Sequence, residues 1–426
     1  MELVLLFGTL AVMLILGIPV AIALAGSALL YIATSTSIPP LVVTHRMING
    51  VDSFPLLAVP FFILAGNLMN TAGITARIFD FALALVGWLR GGLGHVNVGA
   101  SVIFAGMSGA AVADAGGLGA IEIKAMRDAG YDDDFSVGIT AASSTIGPII
   151  PPSLPMVIYG VVAGASIGQL FAAGFIPGLI MALSLMIMVA VISWRRNYPR
   201  DRAFRLGVLW TAFRRAFLSL LTPVIIVGGI LSGAFTPTEA AVAACAYALF
   251  LGLFVYRTLT LRRFLRVSFD TIETTAVVLF VVGAAAIFAW VLTSNRAPEV
   301  VAGMLLAVSD RPWVILLLIN LILLVVGCFM ETVAAITIMV PVLLPVAVEL
   351  GIDPVHFGVI MVLNLMIGLL TPPVGMVLYV LARVANISFE RAVVGTAPFL
   401  VPLVVVLMLI TFVPSLTMWL PTLIYR

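Results

Sequence analysis

The chain has 426 residues, 63% of them hydrophobic and only 9% charged, with a formal net charge of 21 − 19 = +2. Soluble domains carry roughly 25% charged residues, so this composition excludes a water-soluble enzyme or a nucleic-acid-binding module. Apolar runs of 15–20 residues recur throughout, long enough to cross a hydrocarbon core of about 30 Å as helices, and the strand alternation of a membrane β-barrel is missing.

In chain order, MELVLLFG opens the first span without a basic n-region and reads as a retained helix. Residues 3–34 are expected to form a helix pair divided at Gly17-Ile18-Pro19, matching the pair 216–235 and 238–256 divided at Thr236-Pro237-Thr238. A span at 54–70 and an amphipathic segment at 74–90, carrying Arg77, Asp80 and Arg90, come next. Residues 107–128 read as a re-entrant hairpin, because Gly109, Gly116, Gly117 and Gly119 suit a lipid-facing helix poorly, at about 1 kcal/mol each relative to Ala. Spans at 135–165 and 170–194 complete the first half. The second half repeats the order with 270–294, an amphipathic stretch 296–311, a hairpin near 320–349, and spans 355–385 and 395–420.

The expected organisation is therefore a first repeat 1–194, a basic linker 195–215 and a second repeat 216–426. Arginines 195, 196, 200, 202, 205, 214 and 215 fall in one loop, and Arg257, Arg262, Arg263 and Arg266 in another, two spans apart. The positive-inside rule makes that face cytoplasmic. Counting spans outward then puts the hairpin bases on opposite sides and both chain ends in the periplasm. The fold class expected is an all-α polytopic membrane protein with inverted repeats, two re-entrant hairpins and broken helices.

A shift of 372 − 151 = 221 positions lays Pro151-Pro152 on Pro372-Pro373, and with them Gly147 on Gly368, Asp132 on Asp353 and Gly130 on Gly351. Gapless register over some forty residues indicates an internal duplication, and paired Gly/Pro interruptions in such a chain point to a transport site. Pro148, Pro151 and Pro152 within eight residues force the helix to unwind and leave carbonyls around 144–149 without partners. Such groups survive at mid-membrane depth only where protein, water or an ion meets them. A bare cation with oxygen ligands suits the place. Thr371 beside Pro372 and Pro373 repeats it, and Ser143, Ser144, Thr145, Thr371 and Asn364 offer further oxygens. The plain alternative is that these prolines merely kink long helices.

The hairpin tips carry the other half of each site, since half-helix N-termini favour carboxylate ligands. The first tip, residues 107–114, brings Ser108 and Asp114; the second brings Glu331 and Thr332. Intramembrane carboxylates are costly and usually functional, although Glu331 or Asp114 capping its own half-helix is the bland alternative. Arg383, Arg391 and Arg296 are polar outliers, with Arg391 expected in a loop against Glu390 or lipid phosphate. Cys245 and Cys328 read as buried, inert thiols. The lone lysine, Lys124, follows Ile123, so no ATP phosphate loop exists. His45, His95 and His356 are scattered away from any metal-ligand spacing, and no G-x-S-x-G elbow occurs.

The runs SGAAVADAGGLGAIEIKAMRDAGYDDDFS, TAASSTIGPIIPPSLPMVIYG, LAVPFFILAGNLM and IGLLTPPVGMVLYV resemble the large membrane subunit (DctM-like) of tripartite ATP-independent periplasmic (TRAP) transporters, over essentially the whole chain. The resemblance implies a scaffold with a mobile transport part, elevator-type motion, sodium as the coupling ion and residence in the bacterial inner membrane. It also implies two partners: a small four-helix membrane subunit, whose sequence is not fused here, and a periplasmic protein that delivers an organic acid. Carried onto this chain, sodium ligands would be Ser108, Gly109, Ser144, Thr145 and Gly147 in the first repeat, and Glu331, Thr332, Gly368 and Thr371 in the second. Ser143, Asp114 and Asn364 are the candidates to touch substrate. Ala110 stands where the family often has a second serine, so one hydroxyl ligand is absent. The hairpin version leans toward a sugar acid over a C4-dicarboxylate. The rival readings are a stand-alone sodium- or proton-coupled anion symporter and a membrane sensor that no longer transports.

Overall fold

The computed structural model describes residues 2–34, 38–39, 41–198, 200, 203–309 and 311–425, without the side chains of 2–4, 108 and 306. Arg202 lies outside the described residues. Those residues form helices and connecting turns and contain no strand. The first half runs α1 (Glu2–Ile15), α2 (Val20–Thr34), α3 (Leu41–Val51), a 3-10 turn (Phe54–Leu57) leading into α4 (Ala58–Thr71), and α5 (Ile74–Val86). It continues with α6 (Gly92–Ser108), α7 (Ala111–Gly116), α8 (Leu118–Asp128), α9 (Asp133–Ser144), α10 (Leu154–Ala163) and α11 (Ile167–Arg195). The second half runs α12 (Leu206–Leu231), α13 (Pro237–Phe250) extended by a π turn (Leu251–Val255), α14 (Leu261–Ser294) and α15 (Ala297–Val308). It ends with α16 (Pro312–Phe329), α17 (Thr332–Glu349), α18 (Pro354–Gly368), α19 (Met376–Ala385), α20 (Phe389–Phe412) and α21 (Ser415–Ile424). Eight helical stretches among the described residues are long and apolar enough to cross a membrane.

Local chemistry explains where these helices start. Thr236 and Glu239 cap α13 reciprocally, with Pro237 in the first turn where its missing N–H costs nothing. Ser153, Ser166, Thr260 and Ser388 accept first-turn N–H groups of α10, α11, α14 and α20. Gly109, at φ +62°, lets the chain reverse between α6 and α7.

The duplication reaches far beyond the proline blocks. The ends of α6 and α16 differ by 329 − 108 = 221, the starts of α7 and α17 by 332 − 111 = 221, and the starts of α9 and α18 by 354 − 133 = 221. The repeats are also inverted. Equivalent helices α11 and α20 run in opposite directions, because Arg196 at the end of α11 and Arg391 at the start of α20 reach the same aspartate run. Arg196 bonds Asp132 and Arg391 bonds Asp134, both at 2.8 Å. Beyond the far end of α20, the Tyr425 ring lies where a Cβ on Gly168, at the start of α11, would stand.

Several expectations need correction. Both hairpins begin earlier than expected, at Gly92 and Pro312 instead of 107 and 320. The arm α6 was hidden because GLGHVNVGAS carries glycines, His95 and Asn97, all of which the packed protein absorbs. Arg195 ends α11, Arg214 and Arg215 lie on α12, and Arg262, Arg263 and Arg266 lie on the first turns of α14, not in loops. A helix satisfies its own backbone on either side of the membrane boundary, so α14, at 34 residues, continues past a core about 20 residues deep. Arg391 sits in the first turn of α20 and pairs with Asp134, not Glu390.

Candidate transport site

Each broken helix meets the tip of the hairpin from its own repeat. In the first, α9 stops at Ser144 and α10 resumes at Leu154, with a cis Pro151-Pro152 bond between them. The Gly109 carbonyl at the α6/α7 tip accepts from Leu154 N at 3.3 Å. A Cβ on Gly109 would overlap the Pro152 carbonyl oxygen, so only glycine permits this approach. Gly147 is confined in the same way by the Asp114 carboxylate of α7. In the second repeat α18 stops at Gly368, a cis Pro372-Pro373 bond follows, and α19 starts at Met376. There Gly368 packs directly on the Gly327 backbone near the end of α16.

The two repeats also interlock. The half-helix α19 packs on α7 and α8 of the first hairpin, and α10 packs on α17 of the second. At the base of the first hairpin, Arg127 donates to the Ala385 carbonyl at the end of α19 and pairs with Asp133.

The first break leaves several oxygens as open acceptors. Among the described residues the Ser144, Thr145 and Gly147 carbonyls accept no backbone hydrogen bond, whereas Ser143 and Ile146 do, and Pro148 is taken by the Ser153 hydroxyl. Ser144 and Thr145 are at most 2% exposed and donate their hydroxyl protons to Ala141 and Ala142 carbonyls at 2.8 and 2.6 Å. A hydroxyl that donates keeps its lone pairs for a cation. In the second break Thr371 likewise donates to the Ile367 carbonyl at 2.8 Å, and its N–H occupies the Gly368 carbonyl, which differs from the free Gly147 carbonyl.

The two tip carboxylates play different parts. Glu331 is the N-cap of α17, its Oε2 accepting from Val333 N at 2.8 Å and Ala334 N at 3.2 Å. Asp114, 2% exposed, lies inside the first turn of α7 with its Oδ2 facing Gly147. Thr332 opens α17 and is 4% exposed. The Ser108 side chain lies outside the described residues.

Two further residues hold this architecture. Asn97 on α6 donates to Thr140 at 2.7 Å and accepts from Ser143 at 2.5 Å, tying hairpin arm to broken helix. Asn320 on α16 does the same in the second repeat, accepting from Asn364 at 2.8 Å and donating to Thr411 on α20 at 3.1 Å. Ser143 and Asn364, expected from the sequence to touch substrate, are equivalent positions (364 − 143 = 221) with one partner of this kind each. The Asn364 Oδ1 is buried and receives no hydrogen bond among the described residues, so it is an open acceptor. A lone amide in an apolar arm must be paired to be affordable, and that signal would have found Asn97 and Asn320.

Neither hairpin carries a positive side chain near its own tip. Residues 92–128 contain only Lys124 and Arg127, and residues 312–349 contain neither Lys nor Arg.

The chain matches the family model described as the tripartite ATP-independent periplasmic transporter, DctM component, over residues 7–416. It is 53% identical over 407 residues to the sialic acid TRAP transporter large permease protein SiaM of Vibrio cholerae, covering 96% of this chain and 95% of that one. It is 46% identical to the sialic acid TRAP transporter permease protein SiaT of Haemophilus influenzae, covering 97% of this chain and 67% of that protein. Its fold is similar to the crystal structure of the Alcanivorax borkumensis YdaH transporter, described as having an unusual topology, with a TM-score of 0.64, 14% identity and 88% of each chain covered. Paired hairpins, broken helices and a family match along nearly the whole sequence agree: the chain is a membrane permease, not an enzyme, and belongs to the DctM component of the tripartite ATP-independent periplasmic transporters.

Proposed function

We propose that this permease imports an organic acid of the sialic-acid type together with sodium ions. The acid reaches it from a periplasmic binding protein, and a small membrane subunit completes the assembly in the inner membrane. The observation that carries this reading is the pair of inverted junctions between hairpin tip and helix break. Each gathers buried oxygens, and the first leaves the Ser144, Thr145 and Gly147 carbonyls open. Sodium takes such ligands without a carboxylate being needed at every position. Names of the similar sialic acid permeases support the substrate class. The interlocked hairpins and broken helices form the body that would travel as one piece, in an elevator motion, against α2, α4, α13 and α14.

The missing cation at the tips bears on the partners. Carboxylates are held best by bidentate guanidinium groups, and neither tip offers one. Dipoles, hydroxyls and bound sodium are weaker handles, so free acid should bind poorly and a soluble protein must capture it first. Liposomes holding this chain and its small partner should take up little free sialic acid at micromolar concentration. Adding the cognate binding protein should start uptake, and replacing sodium by potassium should stop it. Saturable uptake of comparable rate without the binding protein would establish the stand-alone symporter instead. Equal uptake in potassium under a proton gradient would overturn sodium coupling.

A further inference from the structure

Away from the hairpins, α5 and the start of α12 line two adjoining open pockets of opposite character. The first, about 460 Å³, is lined by Arg77, Asp80, Thr211 and Arg215. The second, about 670 Å³, is apolar and lined by Phe81, Leu85, Trp210 and Phe213. Gly207 lines both, and nothing lies within 4 Å of where its Cβ would stand, so the two communicate over a backbone without a side chain.

The polar cavity is built to hold an anion. Arg77 is fixed by stacking its guanidinium 4.0 Å over the Tyr256 ring, whose hydroxyl is bonded to Ser219. Its buried Nε has no hydrogen-bond partner. Among the described residues neither Arg77 nor Arg215 makes a salt bridge, even with Asp80 on the same wall. Two guanidinium groups and one carboxylate leave a net charge of +1. The apolar cavity is a packed aromatic surface: Phe213 stacks on Trp210 at 5.7 Å and touches Phe81 at 6.0 Å. Exposed Trp88, Trp194 and Trp210 surround the same end of the molecule, with Arg195, Arg200, Arg205 and Arg214 close in sequence. Such an aromatic and basic ring marks a membrane–water boundary.

A cationic cup at that boundary opening into an aromatic groove matches an amphiphile, with headgroup and tail in separate compartments. We infer that α5 and α12 form a binding site for one anionic phospholipid of the phosphatidylglycerol type. Its phosphate lies between Arg77 and Arg215, and its acyl chain lies along Phe81, Trp210 and Phe213. Asp80 accepts a hydrogen bond from a headgroup hydroxyl. A zwitterionic lipid would leave one arginine uncompensated, and a helix of a protein partner would fill the groove but not the cup.

Native mass spectrometry of the purified full chain after exchange into mixed phosphatidylglycerol, phosphatidylethanolamine and phosphatidylcholine tests this. The expected result is retention of one phosphatidylglycerol in preference to the other two by at least fivefold. Arg215→Gln, an exposed position, should abolish the preference while the protein stays monodisperse. Gly207→Leu, which fills the passage between the cavities, should lower retention of every lipid. Equal retention of the three lipids, or a preference unchanged in Arg215→Gln, would overturn the inference. A photoreactive residue at Trp210 that captures polypeptide instead of lipid in the assembled transporter would overturn it as well.

Discussion

At the scale of single residues, the hydroxyls proposed to hold sodium have already spent their protons. Thr371 donates to the Ile367 carbonyl, so what it presents to an ion is lone pairs, and a methyl in that place presents nothing. Thr371→Val should weaken the apparent sodium affinity of uptake about fivefold, from the loss of roughly 1 kcal/mol of buried polar contact, while Thr371→Ser should stay near wild type. Sodium titration of transport in proteoliposomes reads both. A second residue-level expectation concerns Asp132, outside the membrane. The Tyr198 hydroxyl, and after it Arg196, hold its carboxyl below the usual carboxylate range. A carboxyl depressed in the folded state contributes stability above its unfolded pKa of about 3.9 and loses it as pH falls through the lower folded value. The melting-temperature gap between wild type and Asp132→Asn should be constant from neutral pH down to about 5 and close below about 4. A gap that widens in acid would contradict the sign. The residue types at the site were readable in the sequence because proline and glycine punctuate it. Their partners were legible only in part: the capping alternative holds for Glu331, which accepts from Val333 and Ala334, but nothing in the spacing shows that Asp114 looks across to Gly147.

Elements bring in contacts that no single residue announces. The α16/α18 crossing is so close that a Cβ on Gly368 would overlap the Gly327 backbone, which has no flexible end to move aside. Gly368→Ala should therefore part the second hairpin from its broken helix at a cost of about 1–3 kcal/mol. A lower melting temperature together with loss of uptake would show it; unchanged uptake would mean that the crossing yields. Asn97→Ala removes the amide that joins α6 to α9 and returns Ser143 to its remaining acceptor, the Thr140 carbonyl. The expected destabilisation is about 1–3 kcal/mol, seen in thermal unfolding. The broken helices were legible to within two residues, since prolines fix where helical hydrogen bonding must stop. The outer arm α6 was not, because a buried hairpin arm can carry the glycines, histidine and asparagine that a lipid-facing span of equal length cannot, whereas α16 was read eight residues short, from 320 instead of 312.

For the molecule as a whole, inversion was legible from arginine counts and one register shift, and the grip of Arg196 and Arg391 on Asp132 and Asp134 supplies its physical form. Sidedness gives a further expectation. Cysteines placed at Arg200 and at Asp353 should react with an impermeant thiol reagent from opposite faces of sealed vesicles, Arg200 from the cytoplasmic one. Labelling of both from one face would contradict the assigned orientation.

The exchange of half-helices between repeats also has a consequence for biogenesis. The first hairpin is covered by α19 and anchored through Arg127 to the carbonyl of Ala385, a residue translated more than 250 positions later (385 − 127 = 258). Through most of synthesis the first repeat must wait in the bilayer with an inner face that nothing yet covers. Neither half is a finished module when it leaves the translocon, and a ribosome that stops before the second proline pair leaves behind two unfinished sites, not one finished site and one missing.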